Sequence, residues 1–198
     1  KSTTVENAST EVAPTETNAV TEPTKPAEVN GTVEKVDSFT ADKPASKAEI
    51  DAAKNQVAKK EYTVFPRPQK VTYGDGVTAL EGKVNLVFSD GLDIYTRNRA
   101  KEVLQASHVS YTTSTKATEG ATNIFLGVRG KAPLAEKEVQ DISSGLYDKI
   151  DAYVLRVKDN KISIVGKDTD AVFFGLTTLK QMLKESPVPV LRDVTVED

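Results

Sequence analysis

The sequence contains no cysteine, which excludes disulfides, thiolate metal sites, iron–sulfur clusters and cysteine nucleophiles together. A single histidine, His108, removes any histidine-rich metal cage and argues against a serine–histidine triad. No apolar run approaches the ~18 residues that a membrane-spanning helix needs. Charge of one sign is lacking too. Lysine and arginine number 26 against 29 aspartates and glutamates, and a net charge of −3 is too mild to mark a nucleic-acid or membrane-surface partner. Gly-rich phosphate loops, an H-E-x-x-H motif and an EF-hand pattern are all missing, and no cofactor is expected.

What is present changes sharply along the chain. Its 198 residues suffice for one ordinary domain of roughly 100–200 residues plus an extension. Residues 1–45 are built mainly from Thr, Glu, Ala, Pro, Val, Asn and Lys, with no leucine or isoleucine, and Phe39 is their one aromatic. Such a stretch buries too little apolar surface to offset an ordering cost of ~1–2 kcal/mol per residue. Pro14, Pro23, Pro26 and Pro44 lack backbone donors as well. A disordered, mildly stiff tether is expected. Ser46 and Glu49 then have capping-box spacing, and Ile50, Ala53 and Val57 give a thin apolar stripe toward Lys60. A helix of this length is marginal alone, so docking, fraying and transient formation all stay open. The expected division is a tether over 1–60, with a short helix at about 46–60, and a folded domain over 61–198.

Within the folded part, residues 62–65 suggest a strand ended by Pro66 and Pro68. Residues 70–73 and 77–80 flank Gly74-Asp75-Gly76, which reads as a turn. Val84, Leu86 and Phe88 share one face of a strand, with Val87 on the other. Asp90 and Asp93 stand before a helix over 92–106, whose apolar face would hold Leu92, Tyr95, Ala100, Val103, Leu104 and Ala106. His108, just past that helix, reads as a cap or surface residue. Residues 122–128 are apolar on both faces, as in an interior strand. Pro133 suits the start of a short helix through Asp141.

The clearest unit is a hairpin over 153–166. A two-residue turn at Asp159-Asn160 sets Val157 opposite Ile162 and Leu155 opposite Ile164, all on one face. Asp168 or Asp170 can cap a final helix over 171–184. Val172, Phe174, Leu176, Leu179, Met182 and Leu183 would face inward, with Gly175 allowing close approach to the sheet. Phe173 projects from the polar side and is the candidate interdomain contact. Residues 186–198 read as an extended exit strand at a domain boundary. The fold class is α+β: a mixed sheet of several strands carrying two main helices, preceded by the tether.

Three segments resemble the N-terminal α/β domain of family 84 glycoside hydrolases. These are Phe65-Pro66-Arg67-Pro68-Gln69-Lys70-Val71-Thr72-Tyr73, the hairpin Asp151–Val157 with Lys161–Ile164, and Phe173-Phe174-Gly175-Leu176-Thr177-Thr178-Leu179-Lys180-Gln181. The resemblance runs from about Tyr62 to Asp198, and related domains precede the barrels of family 20 hexosaminidases. Ala171 stands where glycine is common and Phe174 where tyrosine is common; both suit a helix. The resemblance implies a sheet with packed helices followed by a (β/α)₈ barrel. In that family a pair of adjacent aspartates on the barrel assists attack by the substrate's acetamido oxygen, which makes an enzyme nucleophile unnecessary. This chain has no Asp-Asp pair, so no catalytic residue carries over.

The expected function is therefore that of a non-catalytic accessory domain in an exported β-N-acetylglucosaminidase of hyaluronidase or O-GlcNAcase type. Its partners would be the barrel of the same polypeptide and that enzyme's glycan, with no nucleic acid, no membrane span, no metal, and a monomeric state. A secreted or wall-associated bacterial location follows from composition and family. The alternative is a carbohydrate- or protein-binding surface module, which would group exposed aromatics on one face. A self-sufficient enzyme finds no constellation to support it.

Overall fold

The computed structural model describes residues 37–198, so residues 1–36 of the tether expected over 1–60 lie outside them. Chain order is β1 (Ser38–Phe39), α1 (Lys47–Val57), β2 (Lys70–Ala79), β3 (Val84–Phe88), α2 (Ile94–Ala106), β4 (Tyr111–Ser114) and β5 (Thr122–Val128). There follow α3 (Pro133–Lys137), a 3-10 turn (Ser144–Asp148), β6 (Tyr153–Lys158), β7 (Lys161–Gly166), α4 (Thr169–Lys184) and β8 (Val190–Glu197). The strands form one mixed sheet in the order β1-β4-β3-β5-β7-β6-β8-β2. The pairs β4–β3, β3–β5 and β5–β7 are parallel, whereas β1–β4, β7–β6, β6–β8 and β8–β2 are antiparallel.

The alternation of side chains assigns the layers. Val84, Leu86, Phe88, Ile124 and Leu126 join the core beneath α2 and α4, together with the four hairpin residues Leu155, Val157, Ile162 and Ile164. Val87, Phe125, Val154 and Val165 face the other way, under Ala135, Val139 and Tyr147. The α+β architecture with two main helices is the one expected. The hairpin has the expected register, Val157 opposite Ile162 and Leu155 opposite Ile164. Asp159 and Asn160 turn it with φ of 49° and 64°, the positive values that a tight hairpin turn demands.

Helix ends follow local chemistry. Asp93 caps α2 by accepting from the Thr96 N–H at 2.8 Å, and Asp168 caps α4 by accepting from the Ala171 N–H at 2.9 Å. At the end of α2, His108 takes φ 55° so that Val109 N–H can donate back to the Leu104 carbonyl at 3.0 Å. His108 is exposed and serves the turn through its backbone. Gly175 lies where an added Cβ would come within 2.6 Å of Ile164 Cγ2, so its bareness lets α4 press on the hairpin.

Several expectations are corrected. The fold begins before residue 61. Ser38–Phe39 pairs with β4, Phe39 stacks on Tyr111 at 5.6 Å, and α1 has its full capping box. That helix is docked, with Ile50 and Val57 buried beside Ala79, Val188 and Val190. A tether reading up to residue 45 fails from Asp37 onward because two residues of edge pairing need little apolar area of their own. Gly74-Asp75-Gly76 is a bulge inside the continuous β2, facing Asp193 of β8, because the pairing resumes at Val77 opposite Arg192. β4 has no counterpart in the sequence reading. α3 stops at Lys137, short of Asp141. On α2, Thr96 is buried while Tyr95 and Ala106 are exposed. The expected exit strand is present as β8, and it lies inside the sheet, between β6 and β2.

Candidate functional site

The segment 62–65, expected as a strand, stays out of the sheet, its N–H groups being paired by side chains where a strand's would be paired by a ladder. Side chains of α4 and its C-terminal residue take over that role. Thr63 N–H donates to the Glu185 carboxylate at 3.0 Å, and Phe65 N–H donates to Gln181 Oε1 at 2.9 Å. Gln181 Nε2 in turn donates to the Phe65 carbonyl at 2.8 Å. One amide side chain thus pairs both backbone groups of Phe65, much as a neighbouring strand would. The Phe65 ring, fixed at its root, is 81% exposed.

Phe65 and Pro66 form one wall of a cleft of about 220 Å³ shared with Phe174, Thr177, Gln181 and Asp198. Tyr153 and Thr178 also line it, their hydroxyls hydrogen-bonded at 2.6 Å. Burial pushes the Tyr153 phenol up to about 12, so it remains neutral. Asp151 borders the cleft, and its neighbour Ile150 is 86% exposed. Asp198 is zipped to Tyr153 by two backbone hydrogen bonds of 3.0 and 3.1 Å. Its carboxylate accepts from the Gln69 N–H at 3.3 Å. Strand β8 therefore delivers the backbone of Asp198 to the rim of an apolar cleft.

Phe174, expected to face inward, is 45% exposed instead. The inner stripe of α4 centres on Gly175, and the small Ala171 and Thr178 fill the flank beside Phe174. Phe173 is half-buried; the Arg99 guanidinium lies 5.2 Å from its ring centroid, and its ring meets that of Phe174 edge-on at 6.3 Å. Neither Phe65 nor Ile150 was expected as a contact residue, although Phe65 opens the first segment of the family resemblance.

The acids have other occupations. Asp93 and Asp168 cap helices, as above. Asp141 is held below the ordinary carboxylate range by hydrogen bonds from Arg156, which also donates to Thr195 Oγ1 at 2.9 Å and the Glu138 carbonyl at 2.8 Å. Asp193, facing the β2 bulge, is pushed up by burial, with Thr78 Oγ1 donating to it at 3.2 Å. Among the described residues, no group of three or more His, Cys, Asp or Glu side chains is placed to hold a metal ion. Nor is any helix there long and apolar enough to cross a membrane. The arrangement with a clear physical use is the cleft with its held aromatic, which suits contact with another apolar surface.

Comparison with known proteins identifies the family and the fold. The family model described as glycosyl hydrolase family 20, domain 2, matches residues 61–198. The solved structure of CpGH84D is similar at 31% identity and a TM-score of 0.66, over 70% of this chain and 24% of its own. That of CpGH84B is similar at 25% identity and a TM-score of 0.51, over 70% of this chain and 22% of its own. The chain thus spans about a quarter of the solved chains it matches. With the family model covering every element from β2 to β8, the chain belongs to the family of glycosyl hydrolase family 20, domain 2, the non-catalytic accessory domain found in family 84 and family 20 glycoside hydrolases.

Proposed function

We propose that this chain is the non-catalytic accessory domain of a secreted or wall-associated bacterial β-N-acetylglucosaminidase, of the hyaluronidase or O-GlcNAcase kind. In this reading it packs against the catalytic (β/α)₈ barrel of the same polypeptide and stabilises it, while the barrel alone contacts the glycan. The observation that carries the reading is the family match over 61–198, seconded by the likeness to CpGH84D. The use of Asp93 and Asp168 as helix caps supports it from the chemical side, because a capping carboxylate already accepts hydrogen bonds. Export is supported by the Thr-, Glu- and Pro-rich composition of the first 45 residues. Phe173 is proposed to flank the contact with the barrel through its edge-on neighbour Phe174.

The test is an assay of two purified proteins on an aryl N-acetylglucosaminide. The 198-residue chain is expected to show no turnover, and the polypeptide extended through the following domain is expected to turn over. Turnover by the short chain after rigorous purification overturns the reading. A surface module for glycans is the competing reading, favoured by the exposed Phe65 and Phe174 rings. Saturable amide shifts around Gln181 on titration with N-acetylglucosamine oligomers would decide for it.

A further inference from the structure

We infer that residues 37–41 are an edge guard: lying alongside β4, they block the pairing of that strand with a second copy of this chain. The argument starts from the sequence of β4 and its flanks. Val109-Ser110-Tyr111-Thr112-Thr113-Ser114-Thr115 is seven residues without a charge, a proline or a glycine, and five of them are β-branched or aromatic. Such a run on an open sheet edge is a template for another strand. Charged side chains, prolines and bulges are the usual ways to blunt an edge, and β4 carries none of them. The far edge has such devices: β2 holds Lys70, Asp75 and its bulge.

β1 supplies what β4 lacks. Thr113 N–H donates to the Asp37 carbonyl at 2.7 Å, Asp37 N–H donates to Thr113 Oγ1 at 3.0 Å, and Ala41 N–H donates to Ser110 Oγ at 3.0 Å. Phe39 stacks on Tyr111, and Lys101 of α2 meets the Asp37 carboxylate at 2.7 Å. Among the described residues β1 is the outermost strand on this side, and it is a poor template. It is two residues long and is followed by the exposed Asp42, Lys43 and Pro44. β1 runs antiparallel to β4. A second β4, meeting the first about a twofold axis normal to the sheet, would also run antiparallel and would claim the same backbone groups, which is the argument for this occupant. The guard lies outside residues 61–198, the part that the family model matches, so the inference goes beyond the accessory-domain reading and stands apart from it.

Two variants of the 198-residue chain release the guard in different ways. Phe39→Pro removes the ring and its N–H together, and Lys101→Glu sets a second negative charge against Asp37. The parent should sediment as a monomer at every concentration, with Thr113 N–H protected from hydrogen exchange. In the dilute variants that amide should exchange roughly tenfold faster or more, the scale of one lost hydrogen bond and ring contact. The amides of β6 and β7 should keep their protection. With rising concentration the variants should dimerise and Thr113 should regain its own. Thr112 is exposed and the chain has no cysteine, so Thr112→Cys marks this edge alone. Under oxidation it should link two copies in both variant backgrounds and leave the parent background unlinked. Faster exchange at Thr113 in variants that stay monomeric overturns the inference, as does a dimer that fails to cross-link. A parent that dimerises and cross-links equally well overturns it too, and so does unchanged exchange in both variants. Where Phe39→Pro costs the fold, Lys101→Glu decides alone, since it leaves the backbone of β1 untouched.

Discussion

The parallel and antiparallel halves of the sheet are built to different rules. β3 is buried at all five positions and β5 at all but the last, because α2 and α4 cover one side and α3 with the 3-10 turn the other. β2, at the opposite edge, is exposed over much of its length, carries the Gly74-Asp75-Gly76 bulge and is covered by α1 only near its end. Strands buried on both faces leave no surface for anything else. The antiparallel half, where α4 meets β6 and the end of β8, keeps its cleft open. The central strands are thus closed on both faces, whereas the β2 edge and the cleft beside α4 stay open.

The largest expected effect comes from truncating the core of the parallel half. Leu126→Ala in β5, at a position with no solvent exposure, should destabilise by about 2–5 kcal/mol in urea titration. Val71→Ala in β2, already 37% exposed, should cost no more than about 1 kcal/mol. Similar losses for the two would erase the contrast. Next comes crowding. An added Cβ at Gly127 would lie 2.0 Å from Ala132 Cβ, an atom fixed by its backbone, so Gly127→Ala should lose about 1–3 kcal/mol. At Gly76 the nearest atom is Asp193 Oδ2 at 2.5 Å, the tip of a side chain that can swing aside. Gly76→Ala should therefore melt within a few degrees of the parent.

The smallest effects are electrostatic, and two acids should give opposite slopes. Arg156 depresses the Asp141 pKa, so the folded state favours the charged form. Its contribution is present above the ordinary value of 3.8 and is lost as pH falls through the depressed one. Asp141→Asn should remove ~0.5 kcal/mol at neutral pH, the scale of an exposed pair. Burial raises the Asp193 pKa, so the folded state binds its proton more tightly and stability declines as pH rises from 3.8 through the raised value. Asp193→Asn should flatten that decline. Chemical denaturation of both variants between pH 3 and pH 7 reads the two slopes, and slopes of one sign would contradict the assignment.

Legibility in the sequence followed the range of the interactions. The hairpin was readable because a two-residue turn sets its own register, and the α1 capping box because its partners lie three residues apart. β4 was not, since Tyr111-Thr-Thr-Ser has little pattern and is defined by β3 and by the distant Ser38–Phe39. The Gly-Asp-Gly run looked like a turn because nothing nearby announces Asp193, more than a hundred residues later, as the residue facing the bulge. Phe173 and Phe174 are consecutive and stand about 100° apart on the helical wheel. Which of them meets solvent was decided by the seat of Gly175 on Ile164 and Tyr153 and by Arg99 from α2. Phe65 depended on Gln181, 116 positions away.

The interior place of β8 has a mechanical consequence. A pull on Asp198 is directed along a strand flanked by β6 and β2, both antiparallel to it. The load falls on two rows of hydrogen bonds in shear, which must rupture together and cannot be peeled off one at a time. Traction along β8 at that residue is therefore shared between two neighbouring strands.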